Sequence, residues 1–280
     1  MLVYTLLFTL VGIEPSKNRY VDMFFIWLSY LIRNSGLGAD DKVAILIDAP
    51  TLEYLNTFEQ LSFLLDSSDI NIFFYTITQP KTITDGILER YRKENGIFCD
   101  TLSMFLDLDM MITRPFKHLF LDTYEPDTLI VNAEGRLTDG CYAGDLVSLP
   151  PELVDYCGFS AAFFIFTNGP TILTFFASIQ NDCRERIENP MYTVDQPFYN
   201  KYVYECLQNK LMPMNIRIIN KKYIENNQYH HNNECFIINF AGIPGNDSFH
   251  FNKMFTLLCY DFIKEGRPAP PEGETLMLYN

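Results

Sequence analysis

Two aspartates, Asp107 and Asp109, stand one residue apart at the end of the apolar run "TLSMFL". Carboxylates at this spacing suit a hard divalent ion such as Mg²⁺ or Mn²⁺, which keeps its other positions for water and phosphate oxygens. Burying charge without a partner is costly, so the apolar flank favours a bound cation over a solvated turn or helix cap. Leu108, between the two, is free to point into the core. An aspartyl-phosphate enzyme also uses two aspartates so spaced, one attacking phosphate and the other acting as acid and base. That pattern normally has Thr or Val two positions past the second Asp, where this chain has Met111. A sugar-phosphate nucleotidyltransferase would want a glycine-rich loop after the first strand, and "TLLFTLVGIEP" holds a single glycine. A metal and diphosphate site is the reading these residues favour.

The elements that must position the pair follow from periodicity. "YVDMFFIWLSYLIR" is apolar on most faces and stops at "NSGLG", which predicts a largely buried helix. "KVAILID" predicts a central strand, and Leu52, Leu55, Phe58, Leu61 and Leu65 predict one helix over 51–66. The rhythm repeats with "INIFFYTI", "TDGILERYRKENG" and the strand that runs into Asp107. Alternation of strand and helix implies an α/β fold, a mainly parallel sheet flanked by helices. Ligands of such sheets bind at the carboxyl ends of the strands, where Asp107 lies. Further on, "TLIVNA" and "SAAFFIFT" read as strands around a turn-rich stretch. Pro170 and Pro197 open two helices, "NIRII" and "CFIINF" are strands, and "FNKMFTLLCYDFIK" is a closing amphipathic helix.

Composition bounds the rest. A chain of 280 residues with 48% hydrophobic content can bury a sizeable core, and no low-complexity linker divides it, so residues 1–265 are expected to form one domain before a Pro-rich tail over 266–280. The 35 acidic against 21 basic residues give a net charge of −14, which opposes binding to nucleic acid or anionic lipid. Seven scattered cysteines without a CxxC pair suggest neither a disulfide framework nor a zinc knuckle, and a reducing compartment fits them. The opening apolar stretch lacks a basic flank and is too short to span a bilayer before Glu14 and Pro15, so a cytoplasmic location without a membrane span is expected.

The segment "FLDLDMMITRPF" resembles the DxD segment of the GT-A-fold glycosyltransferases, the nucleotide-diphospho-sugar transferases related to glycogenin and the bacterial galactosyltransferases. Other pieces stand in that family's order: "VYTLL" with Tyr20 opening a helix, "ILERYRK", "GFSAAFFIF", "VDQPFYN" and "FIINFAGIPGNDSFHFNKM". The resemblance implies a single Rossmann-like domain that transfers a sugar from a nucleotide-diphosphate donor, UDP-linked, to an acceptor it does not identify, with Mn²⁺ or Mg²⁺ as cofactor. It implies a metal held by Asp107, Asp109 and Asn239, and nucleotide or diphosphate contacts from Tyr4, Thr5, Tyr20, Arg90, Gly242 and Gly245; the Lys that closely follows the family's final Gly is absent, and Lys253, further on, is the candidate for a phosphate contact. Asp195 and Gln196 would be the catalytic pair, orienting the acceptor or stabilising positive charge on the sugar. Their placement before Pro197 also suits a helix cap. Departures are visible too. Asn239 stands where the family commonly has a metal-binding His, and Ser160, Ala161 and Ala162 replace the usual Asn-Ala-Gly. Asp139 to Asp145, "DGCYAGD", falls where related enzymes bind acceptors.

Overall fold

The computed structural model describes residues 1–92, 102–120, 125–150, 153, 155–185, 195–208, 212–226, 234–240 and 247–266. A seven-stranded sheet has the order β3-β2-β1-β4-β7-β6-β8, with β1 at Leu2–Leu7, β2 at Lys42–Asp48, β3 at Asn71–Ile77, β4 at Leu102–Leu106, β6 at Thr128–Arg136, β7 at Cys157–Thr167 and β8 at Asn215–Ile218. A second sheet of three strands has the order β5-β10-β9, formed by Met110–Ile112, Ile237–Asn239 and Ile224–Asn226. The helices are α1 (Arg19–Asn34), α2 (Ala49–Leu55), α3 (Glu59–Asp66), α4 (Ile83–Leu88), α5 (Pro170–Glu185), α6 (Gln196–Leu207) and α7 (Asp247–Lys264).

The fold is α/β with a mainly parallel central sheet, as the strand and helix rhythm implies. β2 with β3, β1 with β4 and β6 with β8 pair parallel, while β7 runs antiparallel to both β4 and β6. β7 follows a turn-rich connection whose described residues hold no α-helix, and without a crossover helix a strand returns antiparallel to its neighbour. The single helix expected over 51–66 is two. Phe58 takes an extended backbone at the start of α3, and its ring packs 5.6 Å from Phe25 and 5.0 Å from Tyr54. Aromatic burial there outweighs the helical periodicity that runs through the position.

The chain falls into two compact units. One holds the beginning of β1 with α4, β4, β6, β7, α5, α6 and β8. Its core is aromatic: Phe105 and Tyr91 stack on Phe164 at 5.2 and 5.7 Å, and Phe166 meets Phe176 edge-on at 5.0 Å. The other holds the end of β1, then α1 to α3, β2, β3, the three-stranded sheet and α7. There α1 is buried along Val21 to Leu31, which is why its sequence is apolar nearly all round. Its start is fixed by Asn18, whose Oδ1 accepts from Tyr20 N at 3.0 Å while its Nδ2 donates to Phe8 O at 2.8 Å. Tyr30 hydrogen-bonds Asp261 and Arg33 pairs with Glu265 at 2.8 Å, so α1 also fastens α7. Among the described residues no helix is long and apolar enough to cross a membrane.

Candidate active site

The candidate residues gather in two clusters, one inside each unit. The first is the Asp-x-Asp turn. Past Leu106 the chain leaves β4, and Met110 N donates to Asp107 O at 3.1 Å, closing a turn whose two aspartates are half-buried while Leu108 is buried. β5 begins at Met110 and pairs antiparallel with β10, which sets Asn239 opposite Met110. Phe240 N then donates to Asp109 O at 2.9 Å. Asn239, 130 residues downstream of Asp109 in the chain, is thus placed within one residue of it by strand pairing.

Asn239 is 1% exposed, and its Oδ1 has no hydrogen-bond partner among the described residues. A buried carboxamide oxygen left so costs stability unless something engages it. Two carboxylates and a carboxamide oxygen form a hard, all-oxygen donor set, which fits Mg²⁺ or Mn²⁺. Among the described residues no three His, Cys, Asp or Glu side chains converge on a metal position, so the neutral Asn239 is needed to make a third donor. Lys253, half-buried on α7, has its pKa lowered by burial, and the Asp109 carboxylate partly restores it. That interaction brings Lys253 into the same cluster.

Thr5 and Tyr20 belong to this unit but are placed differently. Thr5 is fully buried, and its Oγ1 has no partner among the described residues. Tyr20 is half-buried in the first turn of α1. Between them the loop after β1 is held by Asp48, which the sequence reading did not single out. Thr9 N and Thr51 Oγ1 donate to Asp48 Oδ2 at 2.8 and 2.7 Å, and the carboxylate caps α2. The signal was present: an Asp ends the apolar run "KVAILID" two residues before Pro50 and three before Thr51. Gly242 and Gly245 lie outside the described residues.

The second cluster surrounds Asp195. This residue holds the N-cap position of α6 but makes no capping bond with its side chain. Instead Oδ2 accepts from Tyr91 Oη at 2.6 Å and lies 3.6 Å from Arg90 Nε. Arg90, 5% exposed, also donates to Ala161 O at 2.8 Å and sits 4.6 Å over the Phe105 ring. Tyr4, which shows no surface to solvent, donates from its hydroxyl to Arg90 O at 2.9 Å. Burial raises the pKa of Tyr4, Tyr91 and Tyr199, and for Tyr91 and Tyr199 the Asp195 charge adds to it, so these hydroxyls stay protonated, and those of Tyr4 and Tyr91 donate.

Gln196 ties the irregular parts of this unit together. Its Oε1 accepts from Ala161 N at 3.0 Å, and its Nε2 donates to Cys141 O at 2.8 Å. One turn later Asn200 clasps Phe159, accepting from its N at 2.6 Å and donating to its O at 2.7 Å. These contacts hold a bulge in β7, where the register against β6 jumps from Phe164 to Ser160 opposite the consecutive Val131 and Asn132. The loop through Asp139 to Asp145 is seated by Tyr142. At Gly158 a Cβ would stand 2.5 Å from Tyr142 Cδ1, so glycine makes room for that ring. Sequence reasoning missed Tyr91 and Asn200, although each lies inside a motif it used, "ERYRK" and "DQPFYN".

No family model matches the sequence, and no curated protein matches it. Solved structures do. The WbbM bifunctional glycosyltransferase superposes with a TM-score of 0.58 at 10% identity, over 96% of this chain and 51% of its own. GlyE, a glycosyltransferase of Streptococcus pneumoniae TIGR4, gives 0.53 at 12% identity, over 97% of this chain and 66% of its own. The fold is that of the GT-A-like glycosyltransferases. Mouse xyloside xylosyltransferase 1 gives 0.50 at 12% identity, over 85% of this chain and 96% of its own. The chain thus spans about half of WbbM, just under two thirds of GlyE and nearly all of the mouse enzyme. At these identities the likeness to glycosyltransferases is one of fold, and the activity must be argued from the side chains.

Proposed function

We propose that this protein is a metal-dependent glycosyltransferase, moving a sugar from a nucleotide-diphosphate donor, UDP-linked, to an acceptor. The observation that carries the reading is the pairing of β5 with β10, which sets the buried Asn239, whose Oδ1 has no hydrogen-bond partner among the described residues, beside the Asp107 and Asp109 turn. The solved structures that share the fold add support, each being described as a glycosyltransferase or xylosyltransferase.

Transfer breaks the bond between the anomeric carbon and the diphosphate, so negative charge grows on the leaving group. A divalent cation, Mn²⁺ or Mg²⁺, would neutralise that charge, with Asp107, Asp109 and Asn239 holding it. Lys253 is proposed to contact the phosphates. Asp195 and Gln196 carry the second half of the proposal, orienting an acceptor or steadying positive charge on the sugar. Tyr91 and Arg90 fix the Asp195 carboxylate, and Ala161 and Cys141 fix the Gln196 amide.

Incubation with Mn²⁺ and a panel of sugar nucleotides is expected to release free sugar or transfer it to an added acceptor. Asp107→Asn or Asp109→Asn should lower that rate by a factor of about 100 or more while leaving the circular dichroism spectrum unchanged. If neither variant changes the rate, the cation site is misassigned. A second reading, a sugar-nucleotide binding protein without turnover, draws on the engagement of Asp195 Oδ2 and of both ends of the Gln196 amide by protein groups. Binding of the donor with no product from any acceptor would favour it.

A further inference from the structure

The small sheet does more than bring Asn239 to the aspartates. β9 pairs parallel with β10 on the side away from β5, and the register sets Asn226 beside Asn239. One row across the sheet therefore reads Met110, Asn239, Asn226, each in register with the next. Adjacent strands are spaced by about 4.8 Å and in-register neighbours share a face, so the two carboxamides are neighbours at the end of both strands. The row passes from a fully buried Met110 through the buried Asn239 to a half-exposed Asn226.

We propose that Asn226 is a further oxygen donor of the cation site, binding the ion directly or through a water it holds. The inference rests on the reading of Asp107, Asp109 and Asn239 as that site. A neutral Asn in place of an imidazole leaves the ion with weaker protein donation, and a second neutral oxygen beside it compensates without adding charge. The set becomes two carboxylates and two carboxamides, all oxygen, suited to a hard divalent ion that takes six or more oxygen ligands.

The test is titration of the purified full chain with Mn²⁺ alone, following the free ion by its paramagnetic resonance signal. Wild type is expected to bind one ion, and Asp109→Asn to bind none. Asn226→Ala should weaken binding by about tenfold, the lower end of the loss seen when a group in or around a metal's ligand set is removed. Asn226→Asp, which keeps the shape and adds a charge, should tighten it. A residue that only braces the strand would leave both constants within twofold of wild type, and that result overturns the inference. Should Asn226→Ala fail to fold, Asn226→Leu, which keeps the bulk and removes the oxygen, decides in its place, since tighter binding in Asn226→Asp can come from the added charge alone. If Asp109→Asn binds Mn²⁺ like wild type, the underlying site falls and Asn226 with it. If Asp109→Asn loses binding while both Asn226 variants match wild type, only the role of Asn226 is refuted.

Discussion

The Asp195 cluster and the Asp-x-Asp turn both set carboxylates among apolar strands, and they are completed in opposite ways. Around Asp195, Tyr91 and Arg90 converge on one oxygen, Gln196 is engaged at both ends, and Asn200 closes on Phe159. At the turn, strand pairing carries a carboxamide into the interior and leaves its oxygen unanswered by the described protein groups. A polar network satisfied by the protein itself rigidifies a fold, whereas a buried oxygen left open is retained at a cost. The contrast sets an Asp195 cluster completed by protein groups against a turn that leaves a buried oxygen open to a ligand.

The largest expected effect breaks the Asp195 cluster. Asp195→Ala would take a carboxylate from beside the Arg90 guanidinium, 5% exposed, and the acceptor from Tyr91. Removing one partner of a buried ion pair costs about 3–5 kcal/mol. Urea denaturation should show a loss of that order, while Asp109→Asn, whose side chain is half-buried, should leave stability nearly unchanged. Equal losses in the two variants would erase the distinction between the clusters.

The sequence carried the large elements because they obey simple periods: "KVAILID" is β2 to the residue, and α1 extends the expected helix by one residue at each end. It carried the turn at Asp107 because charge inside an apolar run is conspicuous. What it could not carry were contacts between distant strands of few residues. β5 and β9 hold three residues each, too short for any alternation to register, yet they place Asn239 and Asn226. Tyr91 was hidden for another reason: a tyrosine in an amphipathic segment is ordinary, and only the fold reveals that its hydroxyl reaches Asp195. The departure from the family pattern at Asn239 was visible, but its burial without a partner was not.

An effect of opposite sign sharpens the comparison. Asn239→Leu replaces a buried oxygen that has no partner among the described residues with an apolar side chain of similar size. Burying an unpaired polar group costs about 1–3 kcal/mol in proteins, so this variant should be more stable than wild type by about 1–2 kcal/mol. It should also bind Mn²⁺ more weakly. Stability gained as binding is lost is the mark of a residue kept for a ligand. A variant that lost stability would show that Asn239 serves the fold, and would move the turn into the same class as the Asp195 cluster.

The smallest effect asks whether the contrast belongs to the units or to the local chemistry, and it uses a carboxylate in the same unit as the turn. Asp41, 1% exposed, accepts from Lys117 Nζ at 2.7 Å and from Gly38 N at 3.0 Å. Burial pushes its pKa up, but hydrogen bonds, these two among them, and nearby positive charge outweigh burial and hold it below the usual aspartate value. A carboxylate whose folded pKa is depressed binds fewer protons folded than unfolded. Its contribution is complete above the unfolded value of about 3.9 and is lost as pH falls through the folded value. Lys117→Met should therefore lower stability by about 1 kcal/mol at pH 7, a modest loss because Lys117 is partly exposed. The difference from wild type should shrink as pH drops below about 4, where Asp41 is protonated in both unfolded chains. Thermal melts at pH 7, 5 and 3 read this directly. A difference that persists undiminished at pH 3 would mean that Lys117 acts through its packed stem, and Asp41 would no longer serve as the satisfied counterpart to Asn239.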